Sequence, residues 1–131
     1  DGMRGIRGAI TIKNNVESEI ISAVRWMVTE MCRHNGVKPD DIGACILSAT
    51  EDVTACFPAA GVRQIPGFDL VPLFDARQMA VEGGLPLCIR ALLLVDTDKT
   101  LREIRHVYLG EASLLRTDLA QLPGEASLTD G

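Results

Sequence analysis

Apolar positions along the chain fall into two patterns. Between Ile20 and Met31 they recur every three or four residues (Ile20, Val24, Met27, Val28, Met31), which gathers them on one stripe of a helix. Elsewhere they alternate or form short runs, the mark of strands. Over Met3–Ile12 the alternation puts Ile6, Gly8, Ile10 and Ile12 on one face, and Gly5, Arg7, Ala9 and Thr11 on the other. A second strand is expected over Ala44–Ala49. A third is expected over Leu70–Phe74, where Pro72 restricts it to an edge or a bulge. Leu85–Asp96 reads LPLCIRALLLVD, and ten of the eleven residues from Leu85 to Val95 are apolar or proline. Such a run, bounded by Gly83-Gly84 and Asp96, predicts a central strand buried on both faces. Ile104–Leu109 predicts a last strand with Ile104, His106 and Tyr108 on one face. Gly110-Glu111 then turns the chain, and Ala112–Arg116 completes a hairpin.

The punctuation agrees. Asn14 or Asn15 is placed to cap the helix, with Glu17 and Glu19 in its first turn, and Asn35-Gly36 ends it with a left-handed residue. Pro39-Asp40-Asp41 reads as a turn or a short helical start, Pro58 opens a short helix, and Asp75–Gly84 reads as a loop carrying Asp75, Arg77, Gln78 and Glu82. Residues 117–131 are polar and aperiodic, and are expected to be a flexible tail. The expectation is a single domain over residues 1–131, of α+β class: a mixed β-sheet with one long helix packed on it. One long helix cannot cover both faces of a sheet. A doubly buried central strand therefore predicts a homo-oligomer.

One residue disturbs this pattern. Arg90 interrupts the most apolar run in the chain, and an unpaired buried charge is costly. Either an acidic side chain pairs with it or an anionic ligand does. Alternation puts it on the face of Cys88, Leu92 and Leu94. Arg7 likewise lies on a face of small residues, pointing either to solvent or to a ligand. The 13 basic residues divide into 10 Arg and 3 Lys, a bias towards planar recognition of carboxylates and phosphates. The net charge of −5 argues against nucleic acid and anionic membrane surfaces as partners. Four cysteines without CxxC spacing point to reduced thiols in a cytoplasmic protein rather than disulfides or zinc. No leader peptide and no membrane-spanning run is recognised. Glu51-Asp52 reads as a solvated loop rather than a metal site, and no nucleophile set or phosphate loop stands out.

Several motifs in order resemble one family, the monofunctional trimeric chorismate mutases, over roughly residues 3–119. They are Arg4-Gly5-Ile6-Arg7-Gly8-Ala9, Leu47-Ser48-Ala49-Thr50, Phe57-Pro58-Ala59, Val71-Pro72, Gly83-Gly84-Leu85, Cys88-Ile89-Arg90, Arg105-His106-Val107-Tyr108-Leu109 and Leu115-Arg116. The resemblance implies three subunits forming a pseudo α/β barrel, with active sites between neighbours. It also implies a one-step rearrangement of chorismate to prephenate in phenylalanine and tyrosine synthesis, with no cofactor and no metal. It puts Arg90 at the ether oxygen, and Arg7 and Tyr108 at a substrate carboxylate. Phe57, Ala59, Val71 and Leu115 become a shaping wall, and Arg63 and Arg116 basic residues at the mouth.

Three positions depart from the family pattern. Gln78 replaces a glutamate that meets the ring hydroxyl. Phe74-Asp75 replaces a Thr-Cys or Ser segment, and Ala60 replaces a lysine. One expectation is that Asp75 supplies the charge lost at Gln78. The other is that Asp75 caps the loop or pairs with Arg77. Two further readings of the whole chain remain: a binding or regulatory homologue weakened by Gln78, and an enamine-hydrolysing trimer of similar architecture.

Overall fold

In the computed structural model, residues 2–114 are described. The expected tail, together with Leu115 and Arg116, lies outside them. Five strands form one mixed sheet: β1 (Met3–Thr11), β2 (Ile42–Ala49), β3 (Leu73–Arg77), β4 (Cys88–Asp96) and β5 (Val107–Leu109), in the order β3-β2-β4-β1-β5. The apolar run is indeed the middle strand. β4 pairs antiparallel with both β1 and β2, while β3 and β5 add in parallel at the edges.

One face of this sheet is closed by the helix α1 (Glu17–Asn35). Ile20, Val24, Met27, Val28 and Met31, the periodic stripe, are completely buried against Ile6, Ile10, Leu47, Ile89, Leu93 and Val95. Gly8 permits this approach, because a Cβ there would lie 2.4 Å from the Met31 sulfur. A short helix, α2 (Ala59–Arg63), packs on α1 through Gly61, where a Cβ would come within 2.8 Å of Val24. Among the described residues no helix is long and apolar enough to cross a membrane.

Local chemistry changes several expected boundaries. Val16, not an asparagine, occupies the N-cap of α1 and makes no side-chain cap bond. Asn15 is engaged elsewhere, accepting the Thr54 and Ala55 amides and donating to the Thr54 hydroxyl. The Glu19 carboxylate instead reaches back to the Lys13 and Asn14 amides. Gly36 ends the helix at φ 62° as expected.

The edge strand begins after Pro72 rather than enclosing it, so Asp75, Ala76 and Arg77 belong to β3 and not to a loop. The last strand is shorter than expected. Ile104 to His106 precede it because Asn35 grips Arg105: its Nδ2 donates to the Arg105 carbonyl and its Oδ1 accepts the Arg105 amide. β5 then pairs in parallel with β1, and residues Gly110–Leu114 turn into a 3-10 helix, so the expected hairpin does not form.

Candidate functional site

The face of the sheet turned away from α1 carries the arginines. In β4, Ile89, Ala91, Leu93 and Val95 are buried towards the helix, while Arg90, Leu92 and Leu94 are only half-buried on the other side. Register fixes their neighbours, because directly paired residues share a face. Arg90 stands beside Ala9 on one side and Ser48 on the other, and Arg7 stands beside Leu92. Ala9 in turn stands beside Tyr108 of β5. Arg7, Arg90 and Tyr108 thus project from three adjacent strands on one face.

Strands are spaced about 4.8 Å apart, so Arg90 and Tyr108 are rooted roughly 10 Å from each other with only a methyl group between. The backbone under Arg7 is tied down by His106, whose Nδ1 accepts the Arg7 amide at 2.9 Å and so carries no proton.

Among the described residues, three buried side-chain polar atoms have no hydrogen-bond partner: Gln78 Oε1, Arg90 Nε and Tyr108 Oη. Buried polar groups are normally satisfied, and leaving one bare costs about 1–3 kcal/mol. The fold carries that cost at three expected site residues, of which Gln78 and Arg90 share a cleft. No described carboxylate pairs with Arg90; its close polar neighbour is the Cys88 thiol, whose pKa burial pushes up while Arg90 lowers it.

Gln78 follows β3 and is held by its own amide, which donates to the Ala49 carbonyl at 3.0 Å. Gln78 and Arg90 line a cleft of about 820 Å³, together with Thr50, Asp52, Met79 and Leu85. Arg7 and Tyr108 do not line it.

Other expected residues lie apart from this cluster. Phe57 is 71% exposed and lines a second cleft of about 560 Å³ with Asp75. Ala59 is buried in the core at the start of α2, and Arg63 is exposed at its end. Phe74 shares the face of Arg90 but stands at the edge, 67% exposed.

Asp75 points to the helix side. Its Oδ1 accepts the Ala59 amide at 3.0 Å, and burial raises its pKa against the opposing pull of that bond and of Arg63. It caps the start of α2. Within one chain Asp75 and Gln78 therefore do not meet, because side chains of successive strand positions alternate between faces.

Asp52 lies in an exposed turn after β2, as the sequence predicts. Beyond that expectation, both its carboxylate oxygens accept the Leu87 amide, at 3.2 and 3.0 Å. A threonine two positions before an acid, immediately after a strand, is the signal that could have flagged it.

The family model for chorismate mutase type I matches residues 3–119. The chorismate mutase AroH of Bacillus subtilis (strain 168) is 42% identical over 118 residues, which is 90% of this chain and 93% of that protein. The chorismate mutase AroH of Thermus thermophilus is 45% identical over 118 residues, covering 89% and 96%. A solved chorismate mutase from Clostridium thermocellum superposes with a TM-score of 0.82 at 37% identity, covering 85% of this chain and 98% of that one. Matched over nearly all of its length by the family model and by relatives at 42–45% identity, the chain belongs to the chorismate mutase type I family.

Proposed function

We propose that the chain rearranges chorismate to prephenate on the open sheet face, in a cleft completed by a neighbouring copy. The observation that carries this is the set of three unsatisfied buried atoms on Gln78, Arg90 and Tyr108. They match the needs of a dicarboxylate with an ether bridge and a ring hydroxyl. In the rearrangement the ether C–O bond breaks as a C–C bond forms, and negative charge gathers on the departing oxygen. A fixed guanidinium at that oxygen stabilises the transition state more than the substrate. Arg90 is assigned this part. Arg7 and the Tyr108 hydroxyl hold a carboxylate, and Gln78 Oε1 accepts the ring hydroxyl. Each group binds or polarises, and none takes a proton or forms a covalent bond. The reading of the chain as a binding or regulatory homologue finds no support in relatives that bear the enzyme's name.

The assembly assigned to the chain is a homotrimer whose sheets close into a barrel. Ala44, Ile46, Leu92 and Leu94 leave an apolar half-buried face that one chain does not cover. Phe57, Leu70, Phe74 and Met79 add large exposed side chains around its edge. In such an assembly Phe57, Arg63 and Phe74 of one subunit would wall the cationic row of the next. A reducing compartment, the cytoplasm, fits the four free thiols; burial holds Cys32 at about 11 and Cys45 at about 12.

The test is to follow the ultraviolet absorbance of chorismate with purified protein, alongside light scattering at micromolar concentration. Enzyme-dependent loss of absorbance from a trimer is expected. An unchanged spectrum would defeat the reaction, and a stable monomer would defeat the shared cleft.

A further inference from the structure

Arg90 lies three residues after the most unusual backbone position in the chain. Leu87 has φ 48°, the only positive φ at a non-glycine among the described residues. A bulky side chain in this left-handed region is strained, and persists only where the surroundings impose it. Asp52, Thr50 and Ile12 impose it. Both oxygens of Asp52 accept the Leu87 amide. The Thr50 hydroxyl donates to Asp52, and its oxygen accepts the Cys88 amide at 3.0 Å. The Thr50 amide donates to the Cys88 carbonyl, also at 3.0 Å. The Leu87 carbonyl accepts the Ile12 amide at 2.9 Å, tying the same turn to β1.

This network lies at the end of β2, one residue beyond the Ala49 carbonyl that holds the Gln78 amide. One short segment, Ala49 to Asp52, therefore anchors both the backbone before Arg90 and the backbone of Gln78.

We propose that Asp52 is a positioning residue for the rearrangement: by clamping the strained Leu87 turn it fixes where β4 begins, and so where Arg90 stands relative to Gln78. This rests on the function assigned above. Asp52 need not touch the substrate, although it borders the cleft. Its influence travels through two backbone amides and along two residues of strand. Misplacement of a reacting group by about an ångström can cost a hundredfold in rate, so the leverage is large.

The test compares four forms of the full chain with chorismate: wild type, Asp52→Ala, Asp52→Asn, and Asp52→Ala combined with Leu87→Gly. Asp52→Ala should lower kcat by roughly ten- to a hundredfold with a much smaller change in KM, because substrate carboxylate contacts survive while alignment at the ether does not. Asp52→Asn keeps an acceptor for the Leu87 amide and should recover much of the loss. Leu87→Gly should also recover part of it, since glycine adopts a positive φ without strain. Thermal melts of all four forms separate positioning from general loss of stability: positioning predicts a kcat loss and its rescue at temperatures well below every melting point. An active wild type whose Asp52→Ala variant keeps its kcat, or whose loss neither partner substitution relieves, overturns the inference alone. A wild type inactive on chorismate overturns the underlying assignment together with it. Should Asp52→Ala fail to fold, Thr50→Val, which removes the hydroxyl linking Asp52 to the Cys88 amide, decides the matter: a lower kcat with KM little changed supports the clamp, and an unchanged kcat refutes it.

Discussion

The two faces of the sheet are made of the same five strands and obey opposite rules. Towards α1, Ile6, Ile10, Leu47, Ile89 and Leu93 interlock with the helix stripe, and the carboxylate of Asp75, beside Leu47, is met by the Ala59 amide. On the far side the alternate residues of those strands are Arg7, Ala9, Ser48, Arg90 and Leu92, a mixture of charge, small groups and half-exposed leucine. The helix face is finished by its own chain, with volume as the governing quantity. The other face is left unfinished, and unmet hydrogen bonds mark where its partners belong.

That contrast can be broken at several points. Arg90→Lys strikes the open face hardest. Lysine keeps the charge but loses the planar fork, and burial lowers its pKa. We expect a loss of about 3–4 kcal/mol in transition-state stabilisation, read as kcat more than KM, with an unchanged circular dichroism spectrum. A near-normal kcat would make Arg90 a structural residue.

Leu93→Ala is the counterpart on the closed face. It should lower unfolding free energy by about 3 kcal/mol in urea while leaving kcat near wild type at low temperature. Leu92→Asp tests what covers the open face. If the proposed trimer forms on that surface, a charge beside Arg7 should convert it to monomer in light scattering and abolish activity; a trimer that survives it would move the interface elsewhere.

The smallest effect is expected at Asp75. Its carboxyl is raised above the ordinary 3.8, with burial the largest cause. Folding thus favours the protonated form. The stability this contributes is present below the ordinary value and is lost as pH rises through the raised one. Asp75→Asn keeps an acceptor for the Ala59 amide, so it should melt slightly above wild type at pH 7. The gap should close as pH falls towards 4.

The same division explains what could be read without coordinates. Period 3.6 in α1 and period 2 in β1 report burial against the chain itself, and those elements were legible nearly to the residue. Arg90 was legible as an anomaly, because a cation in an apolar run has few explanations. Asp75 was not, since its face depends on where β3 begins, and Pro72 moved that start by three residues. The partners of Asn15 and of Asp52 were not legible, for a common reason. Short polar side chains bond whichever backbone amides the tertiary fold brings near, and periodicity carries no record of that choice.

The order of strands also governs how the protein comes into being. Arg7 and His106 touch although 99 residues separate them, and the middle strand reaches β1 only after most of the chain has been made. Local contacts can raise α1 early, whereas pairings between distant segments form slowly. During synthesis β1 must therefore wait with both edges bare, a condition that invites adhesion to other chains. No fragment ending before Tyr108 can assemble the row of Arg90, Arg7 and Tyr108. If that row acts as proposed, the ribosome's unfinished products would neither bind nor consume the metabolite.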